Sequence, residues 1–227
     1  QKAITPHPFG NEYWRIAVRF QPTGAISGDF YDIYKMRGGS LGVIVADAAG
    51  HGVAAALITM IAKPIFMHAM KRYGATNMKA VMETANSEFL EEIGEINEFL
   101  SAQAVRLDAG SVTFVNAGHP PAVLWGGGRM REFHSSGSYL GMPELVTPYA
   151  QETERVSEGD ILLMFSDALI EAKNSEGKEF GLARVRELLA AGYSSPDDLI
   201  TALTEAVYQY TGTRRLRDDL TIVACQR

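Results

Sequence analysis

Three apolar runs constrain this chain more than anything else in it, because each carries an aspartate at one end. Leu41-Gly42-Val43-Ile44-Val45-Ala46 runs into Asp47, Ile161-Leu162-Leu163-Met164-Phe165-Ser166 runs into Asp167, and Asp218-Asp219 opens the stretch from Leu220 to Cys225. Short, apolar and bounded by turn residues, these segments read as strands. A carboxylate at the end of such a strand is expensive unless it is solvated, hydrogen-bonded or coordinated. A fourth aspartate, Asp29, lies in Ser27-Gly28-Asp29-Phe30-Tyr31-Asp32, where Gly28 allows a close backbone turn. Any one of these aspartates could cap a neighbouring loop or helix. Aspartates at the ends of two very apolar strands, with a further pair opening a third, favour convergence at one place.

Around these runs the pattern predicts strands at Tyr13 to Phe20, Ile26 to Met36 and Leu41 to Asp47, then helices from about Gly52 to Arg72 and Asn77 to Ile93, with Gly74 as the stop between them. Strands follow at Phe99 to Leu107, Ser111 to Asn116, Ala122 to Trp125, Gln151 to Val156 and Ile161 to Phe165, and 126–147 reads as loops between short strands. Helical patterns at Leu182 to Ala190 and Pro196 to Tyr210 precede a closing strand from Leu220 to Cys225. Strand runs alternating with helix pairs argue for α+β layers rather than βαβ units. At 227 residues one domain over 1–227 is expected, with 1–12 as the end of an upstream linker. The opening Gln1 reads as a trimmed start with more protein upstream.

Several function classes fall away. A net charge of -6 disfavours nucleic acid, whose phosphates call for a basic stripe. The single cysteine, Cys225, excludes an intramolecular disulfide and a four-cysteine zinc site; it reads as a small apolar residue in the last strand and fits a reducing, cytoplasmic location. The one run apolar enough to suggest a membrane span, Val53 to Met70, carries Lys63, Pro64 and His68 and reads as a core helix, so no membrane is expected in this segment.

Converging carboxylates without histidine or thiolate partners favour hard cations, magnesium or manganese. Two such ions can share a water, lower its pKa and place it for in-line attack on phosphorus. The glycines of Asp47-Ala48-Ala49-Gly50-His51-Gly52 permit a tight turn there in which a backbone carbonyl can face a metal.

Five segments, in order, resemble the motifs of bacterial SpoIIE/RsbU-type serine/threonine phosphatases, metal-dependent enzymes related to protein phosphatase 2C. They are Ile-Ser-Gly-Asp-Phe-Tyr-Asp (26–32), Ala-Asp-Ala-Ala-Gly-His-Gly (46–52), Asn-Ala-Gly-His-Pro-Pro (116–121), Phe-Ser-Asp-Ala (165–168) with Glu171-Ala172, and Asp-Asp-Leu-Thr (218–221). The resemblance implies a four-layer α-β-β-α sandwich, two antiparallel sheets flanked by helix pairs, with two manganese or magnesium ions at one edge. It implies that Asp47 bridges the ions, that the Ala48 carbonyl binds one, that Asp167 and Asp218 complete the second ion's shell, and that Asp29 holds metal-bound water; Asp219 ranks lower. It further implies attack by a metal-bound hydroxide on a phosphoserine or phosphothreonine of a small STAS-like, anti-anti-sigma-factor-like regulator. Control of metal occupancy would come from an upstream sensor or from the helix pair after Gly52. The chain departs from the family at Ala168, where glycine is usual and which demands a negative φ or strain, at Ala46, and around Ser101-Ala102-Gln103-Ala104.

His51 and His119 are candidate general acids, or else a loop cap and a turn residue. Ser27 and Ser166 lack the partners of a nucleophilic serine. Arg214, Arg215 and Arg217 form either a phosphopeptide-recruiting patch or a solvated loop. Six glutamates between Glu83 and Glu98 read as an exposed helical face or one turned to a regulatory partner, and Met60, Met67, Met70, Met78 and Met82 as core, in preference to a helix-pair interface. A homodimer is compatible with the sequence. The rival reading, prompted by Ala168, is a fold-preserving module that binds a signalling partner without hydrolysis. A nucleotide phosphohydrolase is disfavoured, since no Walker-type loop is present.

Overall fold

In a computed structural model that describes residues 6–50, 52–94, 98–142 and 147–227, the strands form two five-stranded antiparallel sheets. One has the order β1 (Arg15–Gln21), β10 (Leu220–Gln226), β9 (Ile161–Phe165), β6 (Ala122–Gly126), β7 (Arg129–Phe133). The other has the order β2 (Asp29–Lys35), β3 (Leu41–Ala48), β4 (Leu100–Leu107), β5 (Ser111–Ala117), β8 (Gln151–Arg155). The sheets pack face to face, and helices cover both outer faces.

Strand periodicity explains why the aspartate-bearing runs are apolar throughout. Side chains on a strand point alternately to opposite faces. Along β3, Leu41, Val43 and Val45 enter the layer between the sheets with Tyr31, Val105, Phe114, Met164 and Val223. Ile44, Ala46 and Ala48 point the other way, into the layer beneath α1 (Val53–Tyr73) and α2 (Met78–Ile93). On the far side, Leu163, Phe165, Leu220 and Ile222 meet α3 (Ala168–Glu171), α4 (Gly181–Ala190) and α5 (Pro196–Thr211). Both faces of each central strand are dry, so no polar alternation is left to see.

Helix ends follow their side chains. Asn77 accepts from the Ala80 N–H at the start of α2, and Ser195 accepts from the Asp198 N–H at the start of α5, with Pro196 in the first turn. α1 is long and apolar enough by composition to cross a membrane, but half of its most apolar stretch is buried, and the helix lies against α2, β2 and β3. Burial also pushes the Cys225 thiol well above its ordinary range, which makes it a core residue with no reactive thiolate.

Four expectations need correction. β2 begins at Asp29 rather than Ile26, because Ser27 and Gly28 are held in a turn described below. β7 arises inside 126–147; Arg129 and Arg131 are exposed, Met130 and Glu132 half-buried, and only Phe133 is buried, stacked on Phe114 with ring centroids 3.7 Å apart. α3, at four residues, is too short to show a period. Met70, Met78 and Met82 are core, but Met60 and Met67 are 49% and 40% exposed, beside exposed Val53 and Leu57. α2 and the sheet cover only one side of α1.

Candidate metal centre

Asp29 on β2 lies directly opposite Asp47 on β3, and Asp47 lies opposite Ser101 on β4. By strand parity all three share the face that points between the sheets. Ser166, Asp219 and Thr221 continue the parity of the interior residues Leu162 and Met164 on β9 and Val223 and Cys225 on β10. The apolar interlayer thus becomes polar at one end. There the Thr221 hydroxyl donates to Asp29 Oδ2 at 2.5 Å, joining the two sheets.

Asp47, Ala48, Asp167 and Asp218 line one cavity of about 510 Å³, together with Glu171, Ser101 and His119. Asp29 sits behind it, 2% exposed. Burial, then the Asp167 and Asp218 charges, push the Asp47 carboxyl up to about 7. Burial, then Asp218 and Glu171, push Asp167 up to about 6, and burial and the facing Asp47 hold Asp29 well above the usual carboxylate range. This is the signature of buried carboxylates brought close to one another, with Arg217 the one cation on the cavity wall among the described residues.

The donor set is all oxygen, which suits magnesium or manganese and not zinc or copper. Asp47, Asp167, Asp218 and the Ala48 carbonyl are the residues that would hold such ions. Among the described residues no three acidic, histidine or cysteine side chains approach closely enough to chelate one ion as they stand. The aspartates surround the space and repel one another across it.

Asp218 and Asp219 are neighbours with different work. Asp219 Oδ1 accepts from the N–H and hydroxyl of Thr23, and its Oδ2 accepts from the Ser27 hydroxyl and the Gly28 N–H. With four donors and 5% exposure, it is a structural carboxylate that clamps the turn leading into Asp29. Gly28 itself cannot easily carry a side chain: a Cβ would lie 3.1 Å from the Ala55 Cβ and 3.3 Å from the Ala48 carbonyl oxygen. Gly50, at φ +84°, turns the chain out of β3 toward α1.

Ala168 opens α3, and among the described residues no non-glycine residue has a positive φ, so the alanine is accommodated without strain, 6% exposed beside Leu169. His119 is buried, its Nδ1 2.8 Å from the Ser101 hydroxyl; burial lowers its pKa to about 3, offset only in part by the Phe165 backbone. His51 lies outside the described residues. Ser166 accepts from the Thr221 N–H and donates to the Asp219 carbonyl, a structural bracket between β9 and β10. Thr221, Ser101 and Thr23 had no assigned role in the sequence. Thr221 alone had a usable signal, since it stands two residues after Asp219 and so shares its face.

The chain matches the family described as Stage II sporulation protein E (SpoIIE) over residues 37–227. Phosphoserine phosphatase RsbP of Bacillus subtilis is 27% identical over 177 residues, covering 75% of this chain and 43% of RsbP. Among solved structures, the SiaA-PP2C domain of Pseudomonas aeruginosa superposes with a TM-score of 0.84 at 21% identity, covering 93% of this chain and 85% of that one. The catalytic domain of the serine/threonine protein phosphatase PstP, solved with two manganese ions, gives 0.67 at 16% identity, covering 94% and 97%. The chain spans less than half the length of the curated relatives it matches. With a match over most of its length, and the sandwich that solved PP2C domains share, the chain belongs to the Stage II sporulation protein E (SpoIIE) family.

Proposed function

We propose that the chain is a divalent-metal-dependent protein phosphatase that removes phosphate from serine or threonine of a small regulatory protein with the STAS fold. One observation carries the reading: Asp47 from one sheet and Asp167 and Asp218 from the other line a single open cavity, with Asp47 and Asp167 shifted upward first by burial and then by neighbouring carboxylates, Asp218 among them for both. Two bound divalent ions supply an activated water and neutralise charge on the transferring phosphoryl group.

The chain's own residues do the rest. Asp47, Asp167, Asp218 and the Ala48 carbonyl bind; Asp29, held by Thr221, backs Asp47 and orients water. Ser27 and Ser166 are committed to structural hydrogen bonds, so no serine nucleophile is required. The cavity opens at the surface, which suits a phosphorylated residue presented on another protein. RsbP and RsbU of Bacillus subtilis, both named phosphoserine phosphatases, support the substrate class. Control of metal occupancy would come from an upstream sensor or from the pair α1 and α2, and the start of α1 five residues after Ala48 puts that pair close to the site in sequence. Ala168, the basis for a non-catalytic module, gives that reading no support, because its backbone is unstrained.

The test is manganese-dependent hydrolysis of an aryl phosphate, and then of a phosphorylated STAS protein, by wild type, Asp167→Asn and Asp218→Asn. Rates in both variants equal to wild type would remove the mechanism.

A further inference from the structure

Beside the metal centre, a second cavity of about 370 Å³ shares Asp167, Glu171, Arg217 and Asp218 with the first and extends away from it between two loops. One wall is the turn that carries Lys173, Asn174 and Ser175. Asn174 Oδ1 accepts from the N–H groups of Glu176 and Lys178, and the Tyr210 hydroxyl donates to the carbonyls of Lys178 and Glu179, which pins this turn to the end of α5. The other wall runs from Thr211 to Asp218. Leu216 is buried in the α3–α5 layer and anchors that loop, leaving Arg215 and Arg217 exposed on either side of it.

The three arginines of this loop are not equivalent. Arg214 pairs with Glu205 and lies over the Tyr208 ring. Among the described residues, neither the Arg215 nor the Arg217 guanidinium has an ion pair or a side-chain hydrogen bond, and Lys173 meets only Glu179, at 3.6 Å. In a chain of net charge -6, the three cations along the groove's walls equal in number the three carboxylates, Asp167, Glu171 and Asp218, at its head, so the walls are positive where the head is negative. The volume falls within the range of ordinary ligand sites and holds a few side chains.

Resting on the phosphatase reading, we infer that this groove receives the residues flanking the phosphorylated serine or threonine, and that Lys173, Arg215 and Arg217 select substrates with acidic side chains there. Guanidinium forks suit carboxylates, and cations at the rim of a cleft discriminate partners by charge, the two arginines free of ion pairs among the described residues and Lys173 through a long, exposed pair with Glu179 that an incoming carboxylate can replace.

The experiment compares phosphopeptides identical except for acidic or basic residues flanking the phosphoserine. It reads the ratio of kcat/KM for the acidic over the basic series within each enzyme, so that altered metal loading or folded fraction cancels. Wild type gives a ratio of about ten or more, Arg215→Lys keeps most of it, and Arg215→Glu and Lys173→Glu each lower it about fivefold, the upper end for an exposed charge pair. A wild-type ratio near one, or a ratio unchanged in both charge reversals, overturns the inference. If wild type hydrolyses neither the peptides nor an aryl phosphate, the phosphatase reading fails by itself. The groove is then judged from the same peptide ratio read as dissociation constants by fluorescence anisotropy, with the same deciding outcomes.

Discussion

Thr221 and Asp29 stand 192 residues apart in the chain and 2.5 Å apart in the fold, with the hydroxyl on one sheet donating to the carboxylate on the other. Replacing Thr221 with valine keeps the shape and leaves a buried carboxylate short of a donor. Thr221→Val is expected to lower stability by about 1–3 kcal/mol and to weaken manganese binding severalfold by freeing Asp29. Denaturant titration and calorimetry check the two effects. An unaltered manganese affinity would show that Asp29 needs no such anchoring.

Asp47 and Asp167 give the metal-free protein a characteristic pH dependence. Both sit above the unfolded value near 3.8, at about 7 and about 6. A raised carboxyl favours the folded state while protonated, so this contribution is full below about pH 4 and is lost as pH rises through 6 and 7. In chelator, Asp47→Asn should melt several degrees above wild type at pH 8, and the gap should close toward pH 5. Manganese should stabilise wild type at pH 8 and leave the variant nearly unmoved. A gap that widens on acidification would contradict the assignment.

On the proposed mechanism, the adjacent pair Asp218 and Asp219 separates metal binding from architecture. Asp218→Asn should reduce manganese-dependent aryl phosphate hydrolysis by more than about a hundredfold, beyond what outer partners of a metal are worth, with little change in melting. Asp219→Ala strands the donors of Thr23, Ser27 and Gly28 and should lower stability by roughly 2–4 kcal/mol. Calorimetric melts and initial rates on both variants settle which aspartate does which.

His119, held near pKa 3 by burial, is neutral at pH 7. Its depressed value means that it opposes folding only as pH falls from about 6.5 toward 3. His119→Asn should therefore change kcat by less than about tenfold and leave both limbs of the pH–rate profile in place, since the ring carries no titrating proton there. Loss of one limb would make it the general acid after all.

The aspartates were legible because a charge at the end of an unbroken apolar strand is conspicuous, and β3 and β9 are apolar throughout only because both their faces are dry. The role of Asp219 was hidden, since its four donors come from Thr23, Ser27 and Gly28, nearly two hundred residues away. Periodicity identified α1 as a helix but says nothing about how much of its circumference a neighbour covers, which is why Met60 and Met67 proved exposed. β7 was obscured by its polar edge, and α3 by its four-residue length.

Asp47 rides on β3, whereas Asp167 follows β9 and Asp218 precedes β10, so the proposed ligand set is divided by the seam between the sheets. Sliding one sheet along the other parts the two groups of oxygens while every ladder stays intact. On the proposed reading, ion occupancy would then depend on the alignment of the two sheets as well as on the aspartates themselves.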